Sequence, residues 1–287
     1  MNQSTMTSHR LTGPDPHGSH NLAYTQWGDP ENPQVLVCVH GLTRNSRDFD
    51  FLAKALVSDY RIICPDLVGR GNSDWLTHPE DYEQSVYLAD MVALLEHLNL
   101  NTVDWLGTSM GGLIGMLLAA QPHSPIRRLV LNDIGPFIPQ SEVSRLAQRL
   151  KEPWPHLTSL LEVEQFLRFI HRQFGPLTDA QWQHLAQHSA RQNEDGSYRL
   201  AYDRQIVQKL QAAARQDVVL WEFWEKIRCP VLLLHGQESM LLTLETIAQM
   251  QASHPNMQVV TLPGIGHAPA LMADEQIQLV KEWLLTT

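Results

Sequence analysis

The sequence predicts an α/β fold built on a largely parallel sheet, with a helical block of about ninety residues inserted into it. Three observations carry this. Short β-rich apolar runs alternate along the chain with segments of helical length and periodicity. One of the runs, VLVCV at 35–39, is apolar at every position, as a strand buried on both faces of a parallel sheet must be. The alternation stops at Pro136 and resumes at Pro230, and the interval between holds several helical patterns and no convincing strand.

The elements follow in order. The first twenty residues are polar, without the apolar stretch of a secretory signal. After the strand at 35–39 a helix is expected over 47–57, then a strand at 61–64 that ends in the loop PDLVGRGNSD. Residues 85–98 place Val86, Ala89, Val92, Ala93, Leu95 and Leu98 close to helical spacing. A strand at 103–107 runs into Gly107-Thr108-Ser109-Met110-Gly111 and an apolar helix reaching Ala120, and a strand at 128–132 follows. Within the inserted block, Leu160, Val163, Phe166, Leu167, Ile170 and Phe174 fall on one helical face. Strand character returns at 230–235, then a helix near 243–252, a strand at 257–262 and a final helix from Asp274. The expected division is a core of residues 1–136 and 227–287 with a helical cap of residues 137–226.

Composition narrows the class of function. The chain has 287 residues, 43% hydrophobic and 18% charged, the balance of an ordinary globular protein. With 31 acidic against 21 basic side chains the net charge is −10, so neither nucleic acid nor an anionic membrane surface is an expected partner. Residues 137–226 carry eleven charges of each sign, so the whole excess belongs to the core, and a neutral cap suits neutral ligands better than polyanions. Cys38, Cys64 and Cys229 show no paired spacing, which argues against a disulfide framework or a zinc site. The longest nearly apolar stretch, residues 110–120, is about half a membrane span. A cytoplasmic monomer or homodimer without a cofactor is expected. His184 and His188 stand four apart on a cap helix, but Leu185 replaces the glutamate of the zinc-protease motif, so they read as surface histidines and no metal is expected. GRGNSD at 69–74 has no lysine to cradle a phosphate and reads as a tight turn.

The chemistry centres on Ser109. A G-x-S-x-G sequence between an apolar strand and an apolar helix makes a sharp turn whose neighbours must be small, and it holds the hydroxyl at the helix N-terminus, where developing negative charge is favoured. A serine hydroxyl needs a base. His267, in the loop Pro263-Gly264-Ile265-Gly266-His267 between the last strand and the last helix, hangs where a base must hang. An oxyanion needs two donors, and the N–H groups of Met110 and of Leu42, after His40-Gly41, are the candidates. His40 and Gly41 are placed in the substrate pocket, with His40 also ordering the loop by hydrogen bonding. Arg44 has two readings, pairing with a substrate carboxylate or lying on the surface.

HG at 40–41, DLVGRGNSD at 66–74, GTSMG at 107–111 and GIGH at 264–267 together resemble the α/β-hydrolase fold superfamily, over nearly the whole chain from about Leu22. The resemblance implies an eight-stranded, mostly parallel sheet flanked by helices, a helical cap after the sixth strand, and a Ser–acid–His triad. Serine at the elbow argues against haloalkane dehalogenases and epoxide hydrolases, which carry aspartate there. The chain departs from the pattern at the acid. The usual place lies three or four residues after Gly236, where Ser239 and Met240 stand. Asp133, at the end of the sixth strand, and Glu238 are the alternatives, and a third is that no carboxylate serves. The expected activity is that of a carboxylesterase acting on small to medium acyl esters through an acyl-enzyme. A carbon–carbon bond hydrolase of ring-cleavage products, or a non-catalytic small-molecule receptor on a hydrolase frame, are the rivals.

Overall fold

The computed structural model describes residues 6–15 and 17–286. The chain runs β1 (Thr7–Asp15), β2 (Gly18–Trp27), β3 (Val35–Val39), a 3-10 turn (Ser46–Phe49), α1 (Asp50–Leu56), β4 (Arg61–Pro65), a second 3-10 turn (Pro79–Asp81), α2 (Gln84–His97), β5 (Val103–Thr108), α3 (Met110–Ala119) and β6 (Ile126–Asn132). The inserted region follows: β7 (Phe137–Ile138), α4 (Gln140–Lys151), α5 (Leu160–Ile170), α6 (Asp179–Ser189), β8 (Ala190–Gln192), β9 (Tyr198–Leu200), α7 (Ile206–Ala213) and β10 (Val218–Val219). After α8 (Trp221–Trp224), the chain returns to the sheet with β11 (Val231–Gly236), α9 (Leu244–Ser253), β12 (Met257–Leu262) and α10 (Asp274–Thr286).

Eight strands form one sheet in the order β1-β2-β4-β3-β5-β6-β11-β12. Strands β1 and β2 are antiparallel, and every pair from β4 to β12 is parallel. Alternate side chains of a strand point to opposite faces, and β3 shows the consequence. Val35, Val37 and Val39 join one buried cluster with Trp105, Ile114 and Leu129, while Leu36 and Cys38 join another with Leu52, Leu56 and Val280. Helices on both faces supply those clusters, so the apolar strands are covered from either side.

Two features depart from the sequence reading. The hairpin β1–β2 occupies the polar N-terminal stretch, where no strand was expected. Strand β1 lies at the sheet edge and exposes most of its residues, so it needs no apolar alternation, and only Leu22, Ala23, Tyr24 and Trp27 of β2 enter the core. The inserted region is also not purely helical. β8 pairs with β9, and β7 pairs with β10 in the register Phe137↔Val219, joining the chain where it leaves the core to the chain where it comes back. Pairings of two or three residues are too short to leave a periodic signal. Among the described residues no helix is long and apolar enough to cross a membrane.

Candidate active site

Strand order sets the position of the site. From β3 the chain steps to β4 on one side and the later strands build outward on the other, so the crevice at the carboxyl ends of β3 and β5 is a topological switch point. The loop after β3 and the turn after β5 meet there. In that turn Ser109 has φ 51° and ψ −113°, a conformation residues with side chains rarely adopt. Its neighbours must be glycines. A Cβ on Gly107 would lie 2.3 Å from the Gly111 carbonyl, and one on Gly111 would lie 2.1 Å from the Val39 oxygen.

The register Thr108↔Asn132 between β5 and β6 puts the next residues, Ser109 and Asp133, side by side. His267, on the loop after β12, spans them. Its Nε2 lies 2.9 Å from Ser109 Oγ and its Nδ1 2.8 Å from Asp133 Oδ2. Asp133 is completely buried, and its other oxygen accepts the Gly236 N–H at 2.8 Å. With Nδ1–H donating to the carboxylate, the lone pair of Nε2 faces the serine hydroxyl. Asn132 braces both partners, its Nδ2 donating to Thr108 Oγ1 and to the Pro269 carbonyl at 3.0 and 2.8 Å. Glu238, the other candidate acid, is exposed on the loop after β11, and none of its side-chain atoms bonds a described residue.

His40 does not reach the cleft. It is buried below it, and burial lowers its pKa to about 3, so the ring is neutral. Its Nε2 accepts the Leu67 N–H at 3.0 Å, which leaves the proton on Nδ1 to donate to the Gly41 carbonyl at 2.7 Å. The N–H of Arg44 donates to the same carbonyl at 3.2 Å. In a trans peptide C=O and N–H point oppositely, so tethering the Gly41 oxygen inward turns the Leu42 N–H outward. Arg70, fully buried in the turn after β4, holds the following peptide by donating to the Leu42 carbonyl at 2.8 Å. Among the described residues neither Leu42 N–H nor Met110 N–H has an acceptor, and both residues sit beside Ser109.

This geometry and the sequence converge with the comparisons. The family model of the alpha/beta hydrolase fold matches residues 34–272. The chain belongs to that family. It is 43% identical over 276 residues, 93% of this chain and 94% of the relative, to a 3-hydroxybutyrate-oligomer hydrolase of Cupriavidus necator. A solved alpha/beta hydrolase from Novosphingobium aromaticivorans superposes with a TM-score of 0.87 at 32% identity, covering all of both chains. A 2-(acetamidomethylene)succinate hydrolase of Mesorhizobium japonicum is more distant, 26% identical over 81% of each chain.

In this alpha/beta hydrolase the cleft beside Ser109 is small, about 80 Å³, and is lined by Gly41, Leu42, Arg44 and His267 among others. Arg44 is not a surface residue. It is buried and its guanidinium grips Asp48 with two hydrogen bonds, at 2.9 and 2.6 Å. Two residues that the sequence reading passed over also line the cleft, Arg149 of α4 and His171 after α5. Arg149 carries no local signal, because nothing in the pattern of α4 tells an inward arginine from an outward one. Nor are His184 and His188 surface residues of the hydrolase. They are partly buried against the core, where His184 Nε2 donates to the Arg47 carbonyl at 2.9 Å and His188 Nδ1 accepts from the Arg47 guanidinium at 3.3 Å. Asp50, His184 and His188 stand close enough to share an ion, but the Arg47 guanidinium already occupies Asp50 at 2.5 Å. The arginine takes the place of a cation there.

Proposed function

We propose that this chain is a serine carboxylesterase whose substrates are short esters of hydroxy acids, 3-hydroxybutyrate oligomers among them. The observation that carries the reading is the unbroken hydrogen-bonded path Ser109 Oγ, His267, Asp133 at the ends of β5, β12 and β6. The relative from Cupriavidus necator supports the substrate class, and the small cleft favours short acyl groups over bulk lipid.

The chemistry proceeds in two halves. His267 Nε2 takes the hydroxyl proton as Ser109 Oγ attacks the ester carbonyl, and Asp133 stabilises the imidazolium that forms. The oxyanion sits against the N–H groups of Leu42 and Met110, the second at the start of α3, where the helix dipole adds to the same field. Each such donor is worth on the order of 10²–10³ in rate. His267 then returns the proton to the leaving alcohol. Water enters, gives a proton to His267, and its hydroxide attacks the acyl carbonyl; as the C–Oγ bond breaks and the acid leaves, His267 returns that proton to Ser109 Oγ. The rival, a non-catalytic receptor, draws on an imidazole without a carboxylate, and the contact of Asp133 with His267 supports the esterase reading instead.

The test uses p-nitrophenyl acetate and butyrate with the 3-hydroxybutyrate dimer. Wild type is expected to turn over all three, and Ser109→Ala to fall to the uncatalysed background. Equal, negligible rates in both proteins would refute the esterase reading.

A further inference from the structure

A second chamber of about 190 Å³ adjoins the cleft beside Ser109. The two spaces share four residues, Thr43, Arg44, Arg149 and His171, which form the neck between them. Beyond the neck the walls are mainly apolar, with Trp154, Phe166 and Leu200 prominent and Glu152 at the exposed margin.

The neck holds two arginines in different states. The charge of Arg44 is answered by Asp48. The charge of Arg149 has no such answer: among the described residues no carboxylate, carbonyl or hydroxyl accepts from it, Arg145 and Arg172 repel it, and Tyr202 alone acts the other way. Desolvation first, and the repulsion from those arginines second, lower the pKa of Arg149, though a guanidinium stays protonated at any working pH. His171 stacks on Phe174, with ring centroids 4.3 Å apart, and has no side-chain hydrogen-bond partner among the described residues. Burial and the two arginines hold it neutral, so it offers one donor and one acceptor to whatever enters. Arg149 is exposed as a residue, yet it lines both spaces with no partner for its guanidinium among the described residues, and a planar donor fork of that kind is matched by a carboxylate, which accepts two parallel N–H bonds.

We infer that Arg149, with His171 beside it, is the carboxylate-recognition site of this hydrolase, seating the free acid end of an ester whose alcohol portion is itself a hydroxy acid. The inference rests on the esterase reading above and deepens it. In an oligomer of a 3-hydroxy acid the leaving unit carries its carboxylate a short way beyond the scissile ester oxygen, and the neck lies a short way beyond Ser109. Neutral esters of the same size would leave the guanidinium unpaired in the cleft. Selection therefore favours free-acid oligomers over their esters.

The test compares the 3-hydroxybutyrate dimer with its methyl ester, a neutral molecule of nearly the same shape. Wild type is expected to prefer the free acid by roughly ten- to hundredfold in kcat/KM, the range for a hydrogen-bonded charge pair. Arg149→Gln should collapse that ratio toward one through KM for the acid, and Arg149→Lys should restore part of it. A merely structural arginine would depress both substrates together and leave the ratio intact, which would overturn the assignment. Calorimetric titration of Ser109→Ala and Ser109→Ala/Arg149→Gln with both compounds reads the same preference without turnover. Equal binding of acid and ester to Ser109→Ala would also overturn it. Preferential binding of the acid by a protein that hydrolyses no ester would sink the esterase reading and leave the carboxylate site standing.

Discussion

Asp133 is held at φ 56° and divides its two oxygens between the Gly236 N–H and the His267 ring, with no exposure to solvent. Asparagine fits the same space and still accepts from Gly236. Its amide N–H, however, faces His267 Nδ1, which must then become the acceptor, so the proton moves to Nε2 and Ser109 loses its base. Asp133→Asn is therefore expected to lower kcat by about 10⁴ with little change in KM. Glu238→Gln should leave the kinetics as they are, and a silent Asp133→Asn beside a crippled Glu238→Gln would reverse the assignment. The meeting of Ser109 and His267 was legible in the chain because what places them is local, glycines around a strained turn and a loop at a strand end. The acid was not. Positions 133 and 238 are far apart in sequence, yet β6 and β11 are neighbours in the sheet, and only the three-dimensional register shows that Asp133, and not Glu238, contacts the imidazole. His40 was legible as an organiser of its loop and misplaced as a pocket residue. Which peptide it turns depends on the Leu67 amide, and no motif records that hydrogen bond.

At the scale of elements, the crossing of β3, β5 and α3 leaves no space for a methyl group. Gly111→Ala would drive a Cβ into the backbone at the end of β3, 2.1 Å from the Val39 oxygen and 3.0 Å from the His40 oxygen, and Val39 cannot move without disturbing its pairing with Gly107. The expected cost is at least about 2–3 kcal/mol, read as a lowered urea midpoint with an unchanged slope. An alanine variant as stable as wild type would mean that the turn has slack enough to admit a methyl group. The core strands and their helices were legible because burial on both faces writes continuous apolar runs. The N-terminal hairpin and the cap pairings were not, because an exposed edge strand and a two-residue ladder are held by backbone hydrogen bonds that any side chain permits. His184 and His188 show the same limit from the side of the cap. Their spacing was visible, but Arg47 between them and Asp50 belongs to a distant part of the chain.

At the scale of the whole molecule, the cap's balanced charge conceals an orientation, since Arg149 faces the cleft unpaired while Glu142 and Glu164 are taken up by Arg145 and Arg168. Charge also sets how folding responds to acid. Burial lowers the pKa of His40 to about 3 and of His188 to about 4, and it lowers His171 and His254 as well. The ordinary value is 6.5, so between 6.5 and these folded-state values the unfolded chain binds protons that the folded protein refuses. Stability must fall as pH falls through that window. For His40 alone the slope is roughly 1.4 kcal/mol per pH unit until about pH 3, on the order of 2–4 °C in Tm for each unit. Two effects run the other way. Asp66 has its pKa raised by burial, so the folded state takes up its proton first and gains at the acid end. The net charge of −10 also shrinks as pH approaches the isoelectric point near 5.7, which relieves self-repulsion. The self-repulsion term would raise Tm between pH 7 and 5.7, so a decline there isolates the buried histidines. Thermal melts from pH 7.5 to 4.5 should show that decline in wild type and a shallower one in His40→Gln, which starts from a lower Tm because the Leu67 amide loses its ring acceptor. A Tm that holds level or climbs toward pH 5.7, with the same slope in both proteins, would mean that His40 takes up its proton without unfolding the loop beneath Leu42.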